Sequence, residues 1–205
     1  VNTARHIINI GSIAEYDPDA SRIQEHSLLW PANAYGASKA SQSFFAQYYA
    51  RQYKMPIVII RPSLMYGPFE EQRRLVPAAI LAHIRNQPLR LSSPHARKDF
   101  LFVEDALDAF EAAAVKKIVP GEIINIGAGR EYSIEDVVLA VSKNMGVTVP
   151  LLWGRLEKRS WDSSRKHSYA IQKAHDVLGW YPKHSLDQGI QKTADWFHEN
   201  AHLYA

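Results

Sequence analysis

Apolar residues fall along the chain in two alternating patterns, short unbroken runs and longer stripes with a three-to-four-residue repeat. Ile7-Ile8-Asn9-Ile10, closed by Gly11-Ser12, and the run over 55–60 are short and β-branched, which predicts strands buried on both faces of a parallel sheet. A third such run spans 122–126 and leads into Gly127-Ala128-Gly129. Arg61-Pro62 is expected to stop the second strand, because proline cannot continue a central ladder. Shorter extended pieces are predicted at 89–91, 99–103 and 149–153. Helical stripes are predicted over 33–53, with Asn33 as N-cap, and over 75–86, 104–115, 134–145, 169–178 and 186–200. The polar mixture over 14–31 reads as a loop. The alternation predicts an α/β fold with parallel strands. Its first strand would keep a bare apolar edge, for an earlier part of the chain or a partner to cover.

The helix over 33–53 carries Phe44, Phe45, Tyr48, Tyr49 and Tyr53, an aromatic surface expected to pack on the sheet or on a partner helix. Trp153, Trp161 and Trp180 are likewise expected to be packing residues. With 205 residues, 46% hydrophobic and 22% charged, the chain can bury a core as one large domain or two small ones. A net charge of +3 is too slight to argue for nucleic acid, and it suits a small anionic substrate. No apolar run approaches the ~20 residues that a membrane span needs. The absence of cysteine excludes disulfides and thiolate zinc sites, and it fits the cytoplasm, where we expect the protein. No metal site is expected from the nine histidines.

Tyr35-Gly36-Ala37-Ser38-Lys39 opens the first long helix. Tyr35 and Lys39 stand four residues apart, on one face and one turn away from each other. A fixed ammonium beside a phenol favours the phenolate and makes an acid–base pair. Ser12 follows a buried strand, at the end where parallel sheets present functional groups. Together the three residues compose a proton relay: the hydroxyl orients a substrate oxygen, the tyrosine exchanges its proton and the lysine stabilises the phenolate.

Ile8-Asn9-Ile10-Gly11-Ser12 with Glu15-Tyr16, followed by Tyr35-Gly36-Ala37-Ser38-Lys39, resembles the extended short-chain dehydrogenase/reductases, the NAD-dependent epimerase/dehydratase family acting on nucleotide sugars. Four further segments carry the same resemblance in order: Arg61-Pro62-Ser63-Leu64-Met65-Tyr66-Gly67-Pro68, Lys98-Asp99-Phe100-Leu101-Phe102-Val103-Glu104-Asp105, Asn125-Ile126-Gly127-Ala128-Gly129 and Leu178-Gly179-Trp180-Tyr181-Pro182. The resemblance implies the C-terminal part of a Rossmann-like doubly wound parallel sheet with a small α/β substrate-binding subdomain. Residues 1–68 and 100–130 would belong to the dinucleotide-binding part, and 69–99 and 131–205 to the nucleotide-sugar part. It implies Ser12, Tyr35 and Lys39 as catalytic residues that also contact NAD or NADP, with Pro62 and Ser63 beside the nicotinamide. Ser63 stands where the family often has asparagine. Lys98, with Arg97 adjacent, would face the diphosphate of the substrate, and Arg159 and Asp162 would hold diphosphate and ribose. A lysine there binds phosphate as a point charge, without bidentate geometry.

The Gly-rich dinucleotide fingerprint and the acidic residue that grips the adenosine ribose are both missing from the chain. At ~30 residues per βαβ unit, roughly 100 residues of the family pattern lie outside it. The expectation is therefore a C-terminal part of a longer enzyme. The expected activity is an NAD(P)-dependent epimerase that passes through a keto sugar, with a 4-keto-sugar reductase or a dehydratase as alternatives. Ile13-Ala14 stand where 4,6-dehydratases carry an acid pair, which disfavours the last. A non-catalytic nucleotide-sugar-binding or scaffold protein is the alternative from another class. The Tyr35–Lys39 helix is expected to pair with its twin in a homodimer.

Overall fold

The three β-branched runs pair with one another as parallel strands. The computed structural model describes residues 4–20, 22–157 and 168–204. In chain order it contains β1 (Ile7–Ile10), a 3-10 turn (Ile13–Glu15), β2 (Arg22–Ile23), α1 (Ala34–Tyr53), β3 (Ile57–Pro62) and β4 (Leu64–Tyr66). Next come α2 (Leu75–Ile84), β5 (Leu89–Arg90), β6 (Arg97–Lys98), β7 (Phe100–Phe102), α3 (Val103–Val115) and β8 (Ile123–Ile126). The rest is β9 (Tyr132–Ser133), α4 (Ile134–Met145), β10 (Leu151–Leu152), β11 (Ser168–Tyr169), α5 (Gln172–Leu178), α6 (Leu186–Asn200) and a 3-10 turn (Ala201–Tyr204).

The main sheet has the order β1-β3-β8, all parallel, with Ile10 opposite Ile60 and Pro62 opposite Ile126. The central strand therefore continues through Pro62, where the sequence predicts a stop. Ile59 and Ser63 donate toward β8, to Glu122 O and Ile126 O, so by alternation the N–H that Pro62 lacks would face the β1 side. Pairing with β1 has already ended at Ile60, and no ladder bond is lost. β1 lies at the edge of this sheet and is only half-buried, with Ile10 exposed, in contrast to the doubly buried strand expected. An open groove of about 590 Å³ runs along it, lined in part by Asn9, Ile10, Lys39, Gln42 and Phe45.

Helix boundaries follow their caps. Asn33 accepts from Gly36 N at 2.8 Å to start α1, and the capping boxes Ser133/Asp136 and Ser185/Gln188 start α4 and α6. α1 buries Gly36, Ala40, Ser43, Ala46 and Ala50, and Ala46 and Ala50 pack with Ile57 and Ile59 of β3. Its aromatic residues do not pack on the sheet: Phe44, Phe45, Tyr48, Tyr49 and Tyr53 are 45–64% exposed. Short pairs tie distant segments together, β2 to β11, β4 to β7, β5 to β10 and β6 to β9; β5, β7 and β10 fall in the predicted extended pieces, and the others lie where no strand is predicted. Residues 168–169 are accordingly strand, and α5 begins only at Gln172.

Ile80, Val138, Ile190 and Phe197 centre one apolar cluster made by α2, α4 and α6 over β4 and β7. A second cluster, including Ile60, Ile124 and Ala109, packs α3 against the main sheet and takes in Ala174, Leu178 and Trp180. Trp180 is buried there and donates to Asp105 O at 2.8 Å, while Trp153 packs against the first cluster. Trp161 lies outside the described residues.

Candidate active site

Ser12 begins the 3-10 turn that follows β1. Its backbone is extended (φ −161°), and its Oγ accepts from Ala14 N at 3.1 Å while its N–H donates to Glu15 Oε1 at 2.8 Å. This is a capping box on a turn of three residues. With an Oγ lone pair engaged by Ala14, the hydroxyl proton of Ser12 is available to an oxygen placed above the strand ends. Gly11 is required beside it, because a Cβ there would stand 2.5 Å from Glu15 Oε1.

Glu15 is fully buried and pairs with Arg61 of β3, whose Nε lies 2.8 Å and Nη2 2.7 Å from Glu15 Oε2. Arg61 Nη1 donates to the Tyr16 hydroxyl, which donates to Asn125 Oδ1 on β8, both at 2.8 Å. Burial pushes the Tyr16 phenol above its ordinary range against the lowering pull of Arg61.

Tyr35 and Lys39 enter on the first turns of α1. Gly36 lies so close to the Ala14 carbonyl and to Pro31 that no side chain fits, so the helix start abuts the Ser12 turn. Tyr35 is 57% exposed. Lys39 Nζ stands 6.0 Å from its ring centroid and donates to Ile10 O at 2.8 Å and Gln42 Oε1 at 3.2 Å. Gln42 in turn donates to Asn9 Oδ1 at 2.8 Å. The ammonium is thereby fixed to the end of β1, two residues before Ser12. The fold brings Ser12, Tyr35 and Lys39 to one edge of the sheet.

Pro62 and Ser63 end the neighbouring strand. Ser63 is buried, and its hydroxyl donates to Asp99 Oδ1 at 2.7 Å. Asp99 also accepts from Ala128 N at 2.7 Å and Gly129 N at 2.9 Å, so one carboxylate joins the ends of β3 and β8. Gly127 permits this approach, since a Cβ there would meet both carboxylate oxygens at 3.0–3.1 Å. Burial, with the Glu131 charge adding to it against three hydrogen bonds, pushes Asp99 up to about 6. Burial likewise raises the Tyr169 phenol, which feels both Asp99 and Glu131.

Arg97 and Lys98 form β6, opposite Ser133 and Tyr132. As neighbours on one strand they face opposite ways. Arg97 donates to Glu131 O at 3.0 Å and stands 4.0 Å from its carboxylate, so it is a half-buried, engaged cation. Arg159 and Asp162 lie outside the described residues. Among those described, no group of three or more His, Asp or Glu is placed to hold a metal ion. Glu15, Arg61 and Asp99 are the site-forming residues that spacing did not single out, although each lies in or beside a motif quoted above.

The model of the family described as NAD dependent epimerase/dehydratase matches residues 2–127. The dTDP-D-glucose 4,6-dehydratase of Homo sapiens is 34% identical over 188 residues, covering 87% of this chain and 52% of that protein. UDP-glucuronic acid 4-epimerase from Bacillus cereus, solved in complex with UDP-glucuronic acid and NAD, superposes with a TM-score of 0.87 at 25% identity, over 96% of this chain and 62% of that one. dTDP-glucose 4,6-dehydratase from Bacillus anthracis, in complex with NAD, gives 0.82 at 25% identity, over 95% and 62%. The α/β fold is the Rossmann-like one of these enzymes. The chain spans 52% of the human relative's length, about half.

Proposed function

Because the chain belongs to the NAD-dependent epimerase/dehydratase family of enzymes, we propose that it carries the acid–base centre of an NAD(P)-dependent epimerase of a nucleoside-diphosphate sugar. The observation that carries this reading is the convergence of Ser12, Tyr35 and Lys39, with Lys39 anchored on Ile10 O and the Ser12 hydroxyl proton uncommitted. Ser12 orients a sugar oxygen, Tyr35 takes the proton of a sugar hydroxyl, and Lys39 holds the phenolate charge. When bound, the nicotinamide supplies the acceptance and return of hydride. Its ribose end fits the residues present: Lys39 spends two of its three donors on Ile10 O and Gln42 Oε1 and keeps one for a hydroxyl, and Pro62 and Ser63 are the assigned nicotinamide contacts. Arg97 and Lys98, with Arg159 and Asp162, are the assigned diphosphate and ribose contacts.

Ile13 and Ala14, the two residues after Ser12, carry no acid, which favours epimerase or 4-keto-sugar reductase over dehydratase. We assign 1–68 and 100–130 to the cofactor side and 69–99 and 131–205 to the sugar side, with α5 leaning on the sheet. The exposed aromatic face of α1 supports a homodimer through that helix.

Incubation of the full-length protein with NAD or NADP and a panel of UDP- and dTDP-sugars, read by chromatography, tests the activity. Conversion is expected, and Tyr35→Phe should lower it by about 10²–10⁴-fold. Undiminished turnover in Tyr35→Phe rejects the relay. Sugar-nucleotide binding without any conversion favours the non-catalytic reading.

A further inference from the structure

We propose that Glu15 and Arg61 are a positioning pair for Ser12. The inference rests on the reading of Ser12 given above, and it concerns how that hydroxyl is held. A three-residue turn has too little internal hydrogen bonding to fix its own first residue. Here Glu15 Oε1 captures the Ser12 N–H, and Oε2 is seized by both Nε and Nη2 of Arg61. Arg61 belongs to the central strand, so the position of Ser12 is referred to the stiffest part of the sheet. Its third nitrogen reaches the Tyr16 hydroxyl, which is tied to Asn125 on β8, and the guanidinium lies 4.7 Å from the Tyr16 ring centroid. The bonds run from the Ser12 turn to β3 and on to β8 without an exposed link.

Stability alone does not account for the pair. Glu15 and Arg61 side chains are 0% and 1% exposed, and at such depth an ion pair roughly breaks even against well-packed apolar residues. Apolar neighbours are at hand, since Ile59 and Ile60 precede Arg61 on the same strand and are fully buried. What apolar substitutes cannot supply is a carboxylate oxygen 2.8 Å from the Ser12 N–H. The surroundings are shaped for that carboxylate as well. Gly11 leaves room for Oε1, and on the α1 side the buried Ser43 hydroxyl lies 3.3 Å from the place a Gly11 Cβ would take.

The decisive variant is the paired apolar replacement Glu15→Leu/Arg61→Met in the full-length protein, compared with Ser12→Ala and with Glu15→Asp. The double variant should keep its thermal midpoint near wild type while kcat falls about 10²-fold at unchanged KM, the scale of a misplaced catalytic group. In a Ser12→Ala background the same replacement should cost no further turnover. Glu15→Asp keeps the charge but withdraws the carboxylate by one methylene. It should lower kcat about 10-fold, and it decides the matter if the double variant does not fold. Amide hydrogen exchange gives a readout independent of turnover, with the Ser12 N–H protected in wild type and exchanging faster in the double variant. Wild-type kcat and Ser12 protection in a folded double variant, or in Glu15→Asp, overturn the positioning role. If Ser12→Ala itself turns over at the wild-type rate, the reading of Ser12 fails first and this inference goes with it.

Discussion

Two carboxylates are sealed under the C-terminal ends of the strands, and they are held in opposite ways. Glu15 meets a guanidinium, whereas Asp99 meets three neutral donors, the Ser63 hydroxyl and two backbone N–H groups. Both are at most 1% exposed. The difference teaches what each side of the site can tolerate. A cation balances the buried charge at Glu15. At Asp99 the dipoles balance it only in part, and the remainder shows as a carboxyl raised to about 6.

The largest effect should come from splitting the charged pair. Arg61→Met alone leaves Glu15 buried without its cation and should destabilise the fold by about 3–5 kcal/mol in urea unfolding. An equal loss in Asp99→Asn would erase the distinction drawn between the two carboxylates. Next comes pH. The Asp99 pKa is raised in the fold, so the native state binds its proton more tightly than the unfolded chain does. Its contribution to stability is fully present below its ordinary value of 3.8 and is lost as pH rises through about 6. The stability difference between wild type and Asp99→Asn should therefore shift by about 3 kcal/mol, in favour of wild type, between pH 7 and pH 3. Glu70, raised to about 7 mainly by burial, acts with the same sign, and Glu70→Gln serves as the control for it.

Removing one neutral donor is a smaller change. Ser63→Ala should cost about 1–2 kcal/mol at pH 7, where Asp99 is ionised, and less below pH 5. The smallest effect on unfolding is expected outside both networks. Phe44→Ser with Phe45→Ser, on the exposed face of α1, should stay within about 0.5 kcal/mol per site for the unfolding of the monomer. Sedimentation should nevertheless show the proposed dimer weakened, and an unchanged dimer would move that interface elsewhere.

The sequence displays whatever is local. The bounds 134–145 and 186–200 match α4 and α6 because Ser133/Asp136 and Ser185/Gln188 write their own capping boxes. The three sheet strands are equally legible from their β-branched runs. Residues 22–23 and 168–169 carry no such signal, since a two-residue strand exists only through a partner far along the chain. Pro62 misleads in the other direction: the proline rule is sound, but it depends on which neighbour the missing N–H would face. At the site, Tyr35 and Lys39 are visible as a spacing and Ser12 as a strand end. Glu15 and Arg61, 46 positions apart, and Ser63 and Asp99, 36 apart, become partners only when the sheet closes.

Gly36 has a consequence for motion. Where a side chain separates two elements, its rotamers act as a soft spring, and the elements drift independently. At Gly36 the backbone of α1 touches the Ala14 carbonyl directly, with Pro31 on the other side. Thermal displacement of the Ser12 turn is then passed to the helix carrying Tyr35, so the two hydroxyls travel together. In the proposed relay both hydroxyls address the same sugar oxygen, so a spacing kept by that contact would serve the two roles at once.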